Sequence, residues 1–182
     1  MEEFYTLQIA GLTRRLPLCA VNEKLRIAAF VLFSDIELTV ACARELLNKA
    51  PPFDIILTPE AKSIPLAYEM SRASGKKYYV ARKQIKVYMP DPVAARVKSI
   101  TTAREQKLYL GRRECEEMRG KRLLIADDVI STGATLTALE TLLKGFGVNT
   151  VCKAAVLAEG AAAERGDIVY LEKLPIFTSE KD

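Results

Sequence analysis

Two adjacent carboxylates, Asp127 and Asp128, follow the apolar run Arg122 to Ala126, and behind them come Ser131, Thr132, Gly133, Ala134 and Thr135. Successive side chains at a strand end point in different directions, so the two acids cannot both be buried without partners. Carboxylates in that position suit vicinal hydroxyls or a hard divalent cation. The residues that follow offer the opposite chemistry. Ser131, Thr132 and Thr135 supply hydroxyls, Gly133 lets the backbone approach a ligand closely, and the first amides of the next helix carry its positive dipole end. That is a cradle for a phosphate monoester. Acids for a diol a few residues from amides for a phosphate describe a ribose 5-phosphate. An isolated Ser-Thr-Gly would be read first as a helix cap, with Asp128 or Ser131 capping a helix from 134. The complete string DDVISTGAT fits neither G-x-x-x-x-G-K-[ST] nor G-x-G-x-x-G, whose glycines serve polyphosphates and dinucleotides.

The elements that must hold these residues can be read from period and punctuation. Ser34-Asp35-Ile36-Glu37 has the S-x-x-E form of a capping box, and Leu38, Ala41, Cys42 and Leu46 recur at helical spacing until Pro51-Pro52. Phe53 to Leu57 is a short apolar run expected as a buried strand, Ile64 to Ala73 a helix ended by Gly75, and Tyr78 to Ala81 the next strand. Arg122 to Ala126 reads as a strand, Ala134 to Lys144 as a helix stopped by Gly145 and Gly147, and Val148 to Leu157 as a further strand. Between them, residues 83 to 106 carry Pro90, Asp91 and Pro92 and no sustained apolar period, which predicts a long functional loop, with Leu108 to Leu110 a short strand after it. Strands alternating with helices imply an α/β fold with a central, mostly parallel sheet flanked by helices. Ligands of such sheets bind at the carboxyl ends of the strands, which singles out Thr58 to Ser63 and Asp127 to Thr135.

The chain of 182 residues is expected to form a single domain. Histidine is absent, which excludes Ser-His-Asp and Cys-His machinery and imidazole metal sites; catalysis must run on carboxylates, lysines, arginines, amides or a hard metal. Cys19, Cys42, Cys115 and Cys152 show no paired spacing, so neither a zinc site nor a disulfide framework is expected. The acidic, polar amino terminus and the lack of a long apolar run give a cytoplasmic expectation with no membrane association. A net charge of +4 is mild, yet basic residues gather at Lys76-Lys77, Arg82-Lys83, Lys86, Arg112-Arg113 and Arg119 to Arg122, which favours anionic partners.

The string around Asp127 resembles the signature of the type I phosphoribosyltransferases, enzymes that use 5-phosphoribosyl 1-diphosphate (PRPP). The resemblance extends to LTPEAKSIPLAYEM (57 to 70), similar to the family's pyrophosphate loop in its orotate form. It also takes in VARKQIK (80 to 86), similar to the Arg-Lys strand end of the adenine and orotate enzymes, and VLAEGAAAERGDIVYLEKLPIF, similar to the adenine branch. It covers roughly residues 30 to 177. It implies that Asp127 and Asp128 hold the ribose hydroxyls, partly through Mg2+ as cofactor, and that Ser131, Thr132, Gly133, Ala134 and Thr135 hold the 5-phosphate. Glu60, Ala61, Lys62 and Ser63 would line the pyrophosphate site, with a cis peptide at Glu60-Ala61. Arg82, Lys83 and Lys86 would neutralise the leaving pyrophosphate, across a homodimer interface. Val129 and Ile130 would lie beside the base, Glu105 would manage its proton, residues 1–30 would form a hood and residues 83–106 a mobile lid. The implied partners are PRPP and a nucleobase, with neither membrane nor nucleic acid. Three departures accompany the resemblance. Ser63 stands for a glycine, Ala134 stands for the adenine branch's second glycine, and LQIAGLTRRLPLCAV lacks that branch's Phe-Pro and Pro-Gly hood pattern. Adenine is the first expectation for the base, with orotate, xanthine or guanine as alternatives. A PRPP-sensing regulator of the same fold is the rival from outside the enzyme class.

Overall fold

The computed structural model describes residues 3–97 and 106–178. In chain order the elements are β1 (Phe4–Ile9), β2 (Leu12–Ala20), β3 (Leu25–Ala28), α1 (Ile36–Lys49), β4 (Ile55–Pro59), α2 (Ile64–Ser74), β5 (Lys77–Ala81), β6 (Pro92–Val97), β7 (Gln106–Gly111), α3 (Arg112–Glu117), β8 (Arg122–Ile130), α4 (Ala134–Leu143), β9 (Asn149–Glu159), a 3-10 turn (Gly160–Glu164), β10 (Val169–Leu174) and β11 (Phe177–Thr178). Among the described residues the central sheet has five strands in the order β10-β9-β8-β4-β5, every pair parallel. An antiparallel sheet β1-β2-β3-β11 forms a separate layer, and β6 pairs with β7 as an antiparallel hairpin.

The two faces of the central sheet bury two apolar clusters. On one, Leu136, Leu139 and Leu142 of α4 pack with Leu108 and Leu110 of β7 over Leu123 and Ile125. On the other, Leu38, Cys42 and Leu46 of α1 and Leu66 and Met70 of α2 pack with Leu7 and Leu16 of the amino-terminal sheet over Ile56, Leu124 and Val156. A fully buried leucine such as Leu139 contributes about 2–3 kcal/mol by transfer alone, so these layers fix where the strands end. Among the described residues no helix is long and apolar enough to cross a membrane.

Several elements differ from the sequence expectation, each for a local reason. The cap of α1 is Asp35 rather than Ser34: its carboxylate accepts the Leu38 amide at 3.1 Å and receives two hydrogen bonds from Arg14, at 2.6 and 3.0 Å. The 83–106 segment, expected without pattern, contains β6, whose Ala95 alone is fully buried among short residues behind Pro92. Proline at the first residue of a strand removes no ladder bond. Within residues 1–30, for which only a hood was expected, β1 and β2 form a hairpin in which Ile9 faces Leu12. Ala10 and Gly11 between them both have positive φ, 51° and 77°, the two-residue geometry whose twist matches the flanking strands. Finally, β8 continues to Ile130, so the two acids lie inside the strand and not beyond it.

Candidate active site

The site sits where the connections of the central sheet part. From β4 the chain runs through α2 to β5 on one side, and from β8 through α4 to β9 on the other. In a doubly wound sheet such a switch point opens a crevice at the carboxyl ends of the two strands. The register shows the opening. β4 and β8 pair from Ile55–Leu123 to Leu57–Ile125 and no further, although β8 goes on beside β9 to Ile130–Ala158. Residues 126 to 130 therefore have a strand on one flank only, and Asp127 and Asp128 occupy that stretch.

Both acids are buried, 7% and 5% exposed. The Asp128 amide donates to Asp127 Oδ1 at 2.9 Å. Burial first, and then the neighbouring Asp128 carboxylate, push the Asp127 carboxyl well above the ordinary range. Lys62 Nζ stands 2.8 Å from Asp128 Oδ2 and also reaches the Phe30 carbonyl at 3.4 Å. Among the described residues Asp128 Oδ2 nevertheless accepts no aligned hydrogen bond. The lysine supplies a close opposite charge without hydrogen-bond alignment. A buried acceptor in that condition is costly unless a ligand completes it.

A cavity of about 220 Å³ opens here, lined by Pro59 to Ser63, Lys83, Leu108, Asp127 to Val129 and Thr135. The Glu60–Ala61 peptide bond in its wall is cis, as the resemblance implied. The Ser63 hydroxyl is turned inward, donating to the Pro59 carbonyl at 3.0 Å and receiving the Thr58 hydroxyl at 2.8 Å, which braces the loop in place of a glycine. Glu60 accepts the Lys83 amide at 2.8 Å and a weak 3.4 Å contact from Arg82. Arg82 spends its other terminal nitrogen on the Tyr88 hydroxyl at 2.6 Å.

A second cavity of about 110 Å³ adjoins the first, cupped by residues 129 to 136 with Asp127; Asp127, Val129 and Thr135 line both. Helix α4 begins at Gly133, in the left-handed region at φ 77°, and no side chain caps it. Neither Asp128 nor Ser131 plays the capping part open to it from sequence. The one side-chain contact to its first amide is a long 3.4 Å bond to Thr132 Oγ1. An uncapped helix amino terminus beside a cavity is the arrangement anions occupy.

The structure thus brings Asp127, Asp128, Glu60, Ala61, Lys62, Ser63, Lys83 and Thr135 to one cleft and Ser131, Thr132, Gly133 and Ala134 to its annex. Of the two residues named for the base, Val129 lines both cavities, and Ile130 lines the smaller one while its side chain is buried in the cluster beneath α4. Arg82 faces a separate groove with Tyr79 and Tyr88, and Lys86 lines neither cavity. Glu105 lies outside the described residues. Leu108 and the Phe30 carbonyl join the site unannounced: Leu108 was expected in a short strand but with nothing to place that strand beside the cleft, and no motif marks Phe30. The basic run from Arg112 to Arg122 is largely neutralised: Arg112 pairs with Asp91, Arg113 with Glu117, Arg119 with Glu116 and Arg122 with Asp54.

The sequence matches the phosphoribosyl transferase domain family over residues 39–174, and the chain belongs to that family. Among curated relatives, the adenine phosphoribosyltransferase of Nocardia farcinica is 31% identical over 144 residues, covering 74% of this chain and 70% of that protein. The hypoxanthine/guanine phosphoribosyltransferase of Methanosarcina acetivorans is 34% identical over 108 residues, 59% of this chain and 53% of that one. The probable purine biosynthesis transcriptional regulator PurR of Streptococcus pneumoniae is 27% identical over 113 residues, 62% of this chain, and only 40% of its own length is spanned. The fold is shared with solved adenine phosphoribosyltransferases. That of Thermoanaerobacter pseudethanolicus has a TM-score of 0.61 at 20% identity, covering 76% of this chain and 80% of that one. That of Giardia lamblia, complexed with 9-deazaadenine, has a TM-score of 0.62 at 14% identity, covering 93% of each.

Proposed function

We propose that the protein transfers the 5-phosphoribosyl group of PRPP to a ring nitrogen of a purine base, adenine before hypoxanthine or guanine, with release of pyrophosphate. One observation carries the reading: the buried, incompletely bonded Asp127–Asp128 pair lies on the wall between a lysine-lined cleft and an uncapped helix terminus. A phosphorylated ribose bearing a 1-diphosphate has its three polar groups in that order. The bond from the anomeric carbon to the pyrophosphate oxygen breaks as the base nitrogen bonds to that carbon, and the base gives up a proton. Asp127 and Asp128 hold the ribose hydroxyls, and negative charge on the pair favours an oxocarbenium-like carbon. Lys62 and Lys83 offset charge gathering on pyrophosphate, and the turn 131–135 fixes the 5-phosphate.

Magnesium fits this donor set. The acids offer hard oxygens, one of them unbonded, but no group of three ligating side chains occurs among the described residues, so the cation would share its coordination with oxygens of PRPP. When bound, it would neutralise diphosphate charge. Closure of the 83–106 segment over the cleft, proton handling by Glu105 and a homodimer complete the proposal, supported by the family resemblance. The 31% identity to an adenine enzyme supports adenine; the orotate-like loop keeps orotate in the panel.

The similarity to PurR favours one rival, a chain that binds PRPP without transferring it. The internal pairing of the Arg112–Arg122 patch weighs against a nucleic-acid face there. Incubation with PRPP and magnesium, with adenine, hypoxanthine, guanine, xanthine, orotate and uracil offered in turn, separates the readings by pyrophosphate release. Release with adenine is the expected result. Binding of PRPP with no release for any base would establish the regulator.

A further inference from the structure

The phosphate turn Ser131 to Thr135 contains no cationic residue, yet a guanidinium lies against it. A Cβ built on Gly133 would stand 2.2 Å from Arg165 Nη1 and 3.3 Å from its Cζ. The arginine therefore fills the space that any side chain at position 133 would need. It is held there by a chain of alternating charges. Arg165 gives Nε and Nη2 to the two oxygens of Asp167, at 2.9 and 2.8 Å. Asp167 also receives Lys153 at 3.2 Å, and Lys153 reaches Glu140 of α4 at 3.0 Å. Among the described residues Nη1 has no acceptor in this network. The chain as a whole is neutral, but its positive end is presented to the turn.

We propose that Arg165 is a positioning residue for the 5-phosphate: clamped by Asp167, it braces Gly133 from outside the turn and adds a fixed positive charge where the turn has none. The inference rests on the reading of that turn given above. Arg165 does not line the cavity that the turn cups, so it acts through Gly133 and through its field and makes no direct contact with the ligand. The position of Arg165, just beyond the 3-10 turn that follows β9, is thirty-two residues from Gly133 in sequence (165 − 133), and no spacing rule connects the two.

Calorimetric titration of ribose 5-phosphate and, separately, of pyrophosphate, each with magnesium, tests it on wild type, Arg165→Met and Arg165→Lys. The expected result is about tenfold weaker ribose 5-phosphate binding in Arg165→Met, in line with loss of one well-placed charge near an anion, with pyrophosphate binding unchanged and most of the loss restored in Arg165→Lys. In turnover the same variant should raise KM for PRPP and leave kcat close to wild type. Unchanged ribose 5-phosphate binding in Arg165→Met would overturn the inference. An equal loss for both ligands would overturn it too, since a brace on the turn should not weaken the lysine-lined end of the cleft as much as the turn itself. If wild type itself binds neither ribose 5-phosphate nor PRPP, the reading of the turn fails, an outcome distinct from failure of the arginine's role.

Discussion

Helices α1 and α4 both start after an acid-bearing stretch, and their amino termini are finished in opposite ways. At α1 the polar groups of the cap have protein partners: Asp35 caps the Leu38 amide, Arg14 Nε and Nη2 bind the two oxygens of Asp35, Nη2 also donates to Glu37 at 2.7 Å, and Nη1 donates to the Thr13 carbonyl at 3.0 Å. At α4 the cap is a glycine with no side chain, and Asp128 Oδ2, just before it, is buried with the Lys62 ammonium at 2.8 Å but with no aligned hydrogen bond among the described residues. The first terminus is complete as protein. The second leaves polar groups open to a ligand, and that contrast, more than the presence of acids, is what singles it out as the candidate site.

The sharpest way to break this comparison is to alter one acid at each terminus. Asp128→Asn should lower turnover by roughly a hundredfold or more, the scale seen when one charge-stabilising group is removed, with the melting temperature nearly unchanged; normal steady-state kinetics would remove Asp128 from the site. Gly133→Ala should cost about 1–2 kcal/mol for an L side chain at φ 77°, and more because its Cβ must displace Arg165; chemical denaturation measures that loss alongside a raised KM for PRPP. Asp35→Ala should cost about 1 kcal/mol as a lost cap while leaving kcat/KM alone; a large kinetic effect there would dissolve the distinction between the termini.

The smallest effect is the most diagnostic of charge state. Arg14, through its hydrogen bonds, holds the Asp35 carboxyl below its ordinary value, so its stabilisation is present above the unfolded pKa and is lost as pH falls through the folded one. Asp127 is raised, so the stability of its neutral form is present at low pH and is lost as pH rises through its folded pKa. Denaturation of Asp35→Asn and Asp127→Asn across pH should therefore diverge from wild type in opposite directions. The first should converge on wild type in acid. The second should gain on wild type as pH rises; parallel curves would contradict the two environments described.

How much of this was legible in the chain depends on the range of the information. The α/β alternation, the helix expected over Ile64 to Ala73 and found at Ile64–Ser74, and the pairing of DDVISTGAT with EAKS at one sheet edge were readable because each rests on local period or on a contiguous motif. The site's other contributors were not. Leu108 reaches the cleft through the pairing of its strand with β6, Lys62 meets the Phe30 carbonyl across layers, and Arg165 meets Gly133 through tertiary packing. Ser63 was legible as a departure from glycine, but only its inward bonds to Thr58 and Pro59 explain why a hydroxyl is accommodated there. The S-x-x-E box misplaced the cap by one residue because Arg14, twenty-one positions away, selects Asp35.

The most direct test of the central claim is the thermal shift produced by PRPP with magnesium in wild type and in Asp128→Asn. Binding to the native state alone at a hundred times Kd stabilises by about 2.7 kcal/mol, so wild type should melt several degrees higher at millimolar PRPP and the variant should lose most of that gain. No shift in wild type, or an equal shift in both proteins, would contradict the account.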